Sequence, residues 1–377
     1  MAIHPAGPPT AYTSRPEVRL GKGRIADLPA RGVAPALLWE RSAGDAVRCH
    51  ACAHRCLIRL DRRGICGVRA NVGGRLLSLV HGEAVAAHAE PIEKKPLFHA
   101  WPGTLSFSIA TRGCNFHCRF CQNWEIAQAE REGIVPLTMT MPPERVVEAA
   151  LQAGARSIAY TYVEPTVFLE YAYDTARLAR AAGLGNVLVT NGYQTPETIE
   201  LLAPVVDAAN VDLKGFSDAV YRRVVGARLA PVLETLVGMR RAGIWVEVTT
   251  LLVPGLTDDD RQLESIADWI GTELGPETPW HVSRYHPAHR MLDVPPTLLE
   301  TVRRAVDIGR RRGLAHVYAG NLAEAGLEDT RCAACGRSLV RRSGFRTTAV
   351  DLDDGRCPTC GHVLAGVGLR ATEGGER

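Results

Sequence analysis

"LSFSIATRGCNFHCRFCQNW", residues 105–124, begins as a strand and ends as a ligand loop. Its first seven residues are largely apolar and end at a turn, the pattern of a buried strand. Cys114, Cys118 and Cys121 then fall within eight positions, spaced C-x3-C-x2-C, and the next cysteine is Cys332. Three thiolates would leave one iron of a cubane [4Fe–4S] cluster without a protein ligand. A small molecule with an amine and a carboxylate can chelate that iron, and a reduced cluster can pass one electron into it. The alternative is a zinc site of three cysteines and His117, although tetrahedral sites usually draw on two separated ligand pairs.

Outward from this loop, short apolar β-branched runs alternate with amphipathic helical patterns from about 105 to 321. The strands expected are LSFSIAT, SIAYTY, NVLVTN, ANVDLK, WVEVTTLLV, WHVSRYH and AHVYAG. Thr257 ahead of Asp258, Asp259 and Asp260, and Thr297 with Glu300 as a capping box, mark helix starts; Gly154 and Gly313 mark helix ends. Six or seven such units fall short of an eight-fold barrel. The expected fold class is therefore α/β: a partial (split) β/α barrel with small cysteine-rich metal modules at both ends, an open doubly wound sheet being the competitor. Either fold places ligands at the carboxyl ends of the strands, where the three-cysteine loop begins.

The expected organisation is an extended arm over 1–45, a four-cysteine module over 46–100, the barrel over 101–327 and a second module over 328–377. Lys and Arg total 44 against 41 Asp and Glu, a net +3 that lacks the basic stripe of a nucleic-acid binder. No run is long and apolar enough for a signal peptide or a membrane span, so the expected location is the cytoplasm. Thiols stay reduced there, and the 11 cysteines read as metal ligands before disulfides. They fall into three groups with none left over. Cys332, Cys335, Cys357 and Cys360 form two C-x2-C pairs 21 residues apart, a zinc-ribbon pattern in a tail too short to fold without its metal. Cys49, Cys52, Cys56 and Cys66 suit zinc or an auxiliary [4Fe–4S] cluster equally. Neighbouring His50 and His54 read as bystanders to a complete set of four cysteines.

The loop resembles the radical S-adenosylmethionine (SAM) superfamily, whose cluster motif is C-x3-C-x-aromatic-C, with Phe120 in the aromatic place. Further strings, PIEKKPLFH, GCNFHCRFCQNWEIAQ, YTYVEPTVFLEY, VTNGY, NVDLKGF, VEVTTLLVPG, SRYHP and VYAGN, resemble the AmmeMemoRadiSam system radical SAM enzyme, a relative of pyruvate formate-lyase activating enzymes. The resemblance runs from about residue 46 to near the C-terminus. It implies a [4Fe–4S] cluster on Cys114, Cys118 and Cys121, with SAM on the open iron, cleaved reductively to a 5′-deoxyadenosyl radical that abstracts hydrogen from a substrate, which can be a protein.

The same resemblance assigns Tyr162 and Glu164 to the SAM amino group, Asn191 to the site, Asp212 and Lys214 to the methionyl end, and His286 to the ribose or adenine. Each has a structural alternative: a helix cap for Glu164, a buried ion pair for Asp212 and Lys214, a core histidine for His286. Glu247, Thr249 and Arg284 complete an inward-facing polar set, whereas Glu93, Lys94 and Lys95 read as a solvated charge run. Val189 stands where activating enzymes often carry an acid, which removes a cation site found in relatives. Implied partners are a reductant protein such as flavodoxin or ferredoxin, and AMMECR- and MEMO-family proteins. Glycyl-radical activation is the nearest alternative activity. A non-catalytic zinc-bearing scaffold is the alternative from another class.

Overall fold

In the computed structural model, residues 31–322 and 326–369 are described. All seven expected strands form. We number the central sheet β1 (Ala86–Pro91), β2 (Leu105–Ala110), β3 (Ser157–Tyr160), β4 (Gly185–Thr190), β5 (Ala208–Asp212), β6 (Trp245–Leu252), β7 (Trp280–Arg284) and β8 (Val317–Gly320). Strands β2 to β8 are parallel, and β1 pairs antiparallel with β2 at the edge. The eight strands lie side by side in chain order. A doubly wound sheet reverses its order at a switch point, so that competitor is excluded.

One long helix follows each of β2 to β7: Pro143–Gln152, Leu169–Ala181, Pro196–Leu202, Ala230–Arg241, Asp260–Trp269 and Leu299–Arg311. Asp259, not Thr257, caps the fifth by accepting the Gln262 N–H. The expected Thr297 box does not form. The last helix opens at Leu298 without a side-chain cap, and the Thr297 hydroxyl instead ties Tyr285 N to Leu252 O between two strand ends. A short polar side chain beside backbone groups of another element meets them rather than its own helix.

Two boundaries move. Ala34–Pro35 and Trp39–Arg41 are not an arm: the first pairs with Arg75–Ser78 and the second with Val47–Cys49, inside the four-cysteine module. The remainder of the expected arm, 1–30, lies outside the described residues. Residues 86–91 leave that module and become β1 of the central sheet.

After β1 the chain runs back over the amino-terminal ends of the strands. Ile92, Leu97, Ala100 and Trp101 pack there on Ala159, Val187 and Ala208. Gly185 admits the Trp101 ring, since a Cβ at that position would sit 2.3 Å from it. The segment corrects the reading of Glu93 and Lys95 as solvated, for both are buried. Glu93 accepts from Gly103 N and Thr347 Oγ1, while Lys95 reaches Glu90 and, at 3.1 Å, the Tyr162 hydroxyl. Buried charges survive only with partners.

The C-terminal module is a three-stranded antiparallel sheet, Thr330–Arg331, Ser338–Ser343 and Arg346–Val350, with its own small core. It grips the same segment: Arg342 donates to Phe98 O, Trp101 N pairs with Val367 O, and His99 bridges Ala365 O and Tyr318 Oη. No helix among the described residues is long and apolar enough to cross a membrane.

Candidate functional site

The three-cysteine loop leaves β2 and turns into the short helix Trp124–Ala127. Its backbone is pinned from below: His117 N and Arg119 N donate to Val225 O and Val224 O, and Gly113 N to Ile126 O. Phe116 and Phe120 are buried, so the loop has a hydrophobic underside while its cysteines face the strand ends. Burial pushes the Cys114 and Cys118 thiols up to about 12 and Cys121 to about 11. Thiolates so desolvated need a cationic partner, and metal supplies one.

Lys214 stands beside them at the end of β5, its Nζ 2.9 Å from Asp212 Oδ2 and 6.0 Å from the Phe120 ring centre. Burial works against its charge, but Asp212 and Cys118 outweigh burial and hold the ammonium above its ordinary value. Thr249, paired with Asp212 across β5 and β6, has a buried hydroxyl with no partner. A cation, an unpartnered hydroxyl and three desolvated sulfurs at one end of a parallel sheet fit a cluster with a zwitterionic ligand on it. His117 does not complete a tetrahedral set: it lies against Gly226, where a Cβ would be 2.8 Å from its Nδ1.

Tyr162 and Glu164 follow β3. Tyr162 takes a left-handed backbone, φ +65°, and its carbonyl accepts from Asn123 Nδ2 just past the cysteines. Non-glycine residues hold that conformation only when surrounding contacts impose it. Its hydroxyl meets His88, Glu90 and Lys95. Glu164 is buried and caps the turn at Pro165–Phe168. Its oxygens accept from Thr166, Thr190 Oγ1 and Asn191 N, which ties β3 to β4. Burial raises its pKa, the opposite of what a free carboxylate facing an ammonium would show. Asn191 reaches the cysteine loop through Asn115 Oδ1 at 2.8 Å.

Glu247 lies one layer deeper than the cysteines. It accepts from Phe98 N, His99 N and His281 Nε2, the last at 2.7 Å, and is part of the plug under the sheet. Arg284 donates to Thr297 O. His286 is exposed and lines an open cleft of about 430 Å³ together with Gln122, Asn321, Leu322, Glu328 and Phe345. Burial pushes the Glu328 carboxyl up to about 6. Of this lining only His286 was expected at the site from sequence; Gln122, Asn321 and Glu328 are brought to it by the fold.

Two other cysteine groups differ in geometry. The ligand atoms of Cys332, Cys335, Cys357 and Cys360 all lie within 4.8 Å of one another, with Cys332 Sγ 3.5 Å from Cys360 Sγ and Cys335 Sγ 3.6 Å from Cys357 Sγ. That set can hold a metal ion. Among the described residues no other group of three or more His, Cys, Asp or Glu is so close, including the three on the loop and the four at Cys49, Cys52, Cys56 and Cys66.

Residues 108–270 match the family model of the radical SAM superfamily. An uncharacterized protein of Methanocaldococcus jannaschii, MJ0808, is 43% identical over 318 residues, 84% of this chain and 94% of that protein. Pyruvate formate-lyase 1-activating enzyme of Escherichia coli K12 is 24% identical over 170 residues, 45% of this chain and 69% of the enzyme. A crystal structure of a radical SAM methyltransferase from Sphaerobacter thermophilus superposes with a TM-score of 0.43 at 18% identity, over 58% of this chain and 67% of that one.

Proposed function

The chain belongs to the radical SAM superfamily, and from that premise we propose that Cys114, Cys118 and Cys121 bind a [4Fe–4S] cluster whose remaining iron is left to SAM. The protein is a radical SAM enzyme related to pyruvate formate-lyase activating enzymes. The observation that supports the cluster reading best is the Lys214–Asp212 pair at a strand end beside Cys118. Held there, the cluster and SAM would supply one-electron radical chemistry for hydrogen abstraction. Lys214 offers the point charge for the methionyl carboxylate, and Asp212 orients it. The unpartnered Thr249 hydroxyl is a second contact for SAM. Tyr162 and Asn191 shape the approach from β3 and β4, with Glu164 holding the Asn191 turn, and His286 flanks the nucleoside side. The open sheet is in this reading the partial β/α barrel of the superfamily.

Substrate enters through the cleft beside Gln122. At about 430 Å³, open and lined by both Phe345 and polar groups, it has room for a side chain presented on a protein loop. The sequence strings favour the AmmeMemoRadiSam system, with AMMECR- and MEMO-family proteins as partners and flavodoxin or ferredoxin as reductant. Glycyl-radical activation is the second reading, favoured by the relation to the Escherichia coli activating enzyme. The C-terminal cysteines suit structural zinc, because a Zn–S bond of about 2.3 Å in a tetrahedron spaces sulfurs roughly 3.8 Å apart.

The test is anaerobic reconstitution with iron and sulfide, followed by SAM and dithionite. Formation of 5′-deoxyadenosine that disappears in Cys118→Ala is the expected result. Absence of any cluster on the loop, or turnover undiminished in Cys118→Ala, overturns the reading.

A further inference from the structure

We propose that Cys49, Cys52, Cys56 and Cys66 hold a second, fully ligated [4Fe–4S] cluster, separated from the three-cysteine loop by a wall one residue thick. This goes beyond the function proposed above and needs only the N-terminal module.

All four cysteines line one partly open cavity of about 20 Å³. A single tetrahedral metal cannot leave such a space. With sulfurs about 2.3 Å from a central ion, no water-sized sphere fits among them. The C-terminal set has that tight geometry, with sulfur pairs at 3.5 and 3.6 Å; among the described residues these four do not close into such a group. In this they match Cys114, Cys118 and Cys121. A cubane attaches each thiolate to a different iron, which spreads the sulfurs around a larger centre.

The lining suits such a cluster. Ala51, Ile58, Ile65 and Val167 give the space an apolar lining. Arg69 also lines it. Its guanidinium is buried and paired with Glu170, yet its Nε–H has no hydrogen-bond partner. Cluster sulfurs accept such donors, and the positive charge offsets that of four thiolates.

The cavity abuts the catalytic loop. Asn115, next to Cys114, lines it, and its carbonyl accepts from His54 Nε2 at 2.9 Å. Gly113 packs so closely on the module that a Cβ there would lie 2.9 Å from Cys66 O. A cluster with four protein ligands has no open iron for SAM, so its chemistry is confined to one-electron exchange.

The test uses the full chain carrying Cys114→Ala, Cys118→Ala and Cys121→Ala together, reconstituted anaerobically. The expected product binds about four irons and four sulfides, and shows a cluster EPR signal on reduction that SAM does not alter. Iron at background with two zinc ions per chain overturns the proposal. The unsubstituted protein provides a check independent of that variant's folding: about eight irons, with SAM perturbing only about half the reduced EPR intensity. A single cluster, all of it responsive to SAM, also overturns it. Failure of the three-cysteine reading looks different, since the SAM response would vanish while the triple variant kept its iron.

Discussion

Lys214 Nζ lies 2.9 Å from Asp212 Oδ2 across one intervening residue, and the pair stands beside the buried Cys118. Asp212 ends β5, and Lys214 lies two residues beyond it. We predict that Lys214→Met keeps the cluster absorbance but weakens SAM binding about ten- to a hundredfold, the loss expected for one charge-assisted hydrogen bond. Equilibrium binding of SAM to the reconstituted protein checks this, and unchanged affinity would remove Lys214 from the site.

Gly113 has φ +92°, and an added Cβ would be 2.6 Å from Val68 Cγ1. Gly113→Ala therefore carries both a left-handed penalty of roughly 1–2 kcal/mol and a clash between the loop and the N-terminal module. Urea denaturation should show a loss of at least about 2 kcal/mol, and iron retained by the loop should fall.

Arg69 and Glu170 form a bidentate pair with both side chains almost wholly buried. Removing one partner strands the other, so Arg69→Met or Glu170→Gln should each cost about 3–5 kcal/mol. The double variant Arg69→Met with Glu170→Gln should cost less than the sum. Additive losses in a double-mutant cycle would show that the two act independently.

His99 is buried between the Tyr318 hydroxyl and Ala365 O, and burial lowers its pKa to about 4 from 6.5. The unfolded chain thus takes up a proton between those values while the folded one does not. Stability should fall as the pH drops from about 6.5 to 4, by up to roughly 3 kcal/mol. His99→Gln should flatten this part of the pH profile in thermal unfolding. An identical slope would place the titration elsewhere.

The C-terminal module has a core of only a few side chains around its cysteines. Cys335→Ser with Cys360→Ser should release one metal ion per chain and produce a separate low-temperature unfolding transition. Metal analysis with calorimetry reads both. A single unchanged transition would mean that the module's grip on His99 and Trp101 suffices without metal.

How far the site was legible varies with residue separation. Cys114, Cys118 and Cys121 stood out in the sequence because all three candidate ligands sit on one loop, and Asp212 and Lys214 because an extended chain puts i and i+2 on one side. Glu164 was harder: the same residue type at a helix start serves as cap or ligand, and only its contacts with Thr190 and Asn191 show how its oxygens are used. Glu93 and Lys95 looked solvated because charge in a run is usually exposed; their burial depends on Glu90, Thr347 and Tyr162 being brought to them.

Periodicity and ligand spacing, both local properties, determined from sequence the seven parallel strands, the helices between them and the grouping of cysteines into sets of four, three and four. Tertiary structure alone decided what depends on distance between remote residues: the plug formed by residues 92–101, the cleft joining Gln122 to Glu328, and the spread of sulfurs within each cysteine set. The physical reason is that a spacing pattern names candidate ligands, whereas the size of the space they enclose is set by packing among elements far apart in the chain.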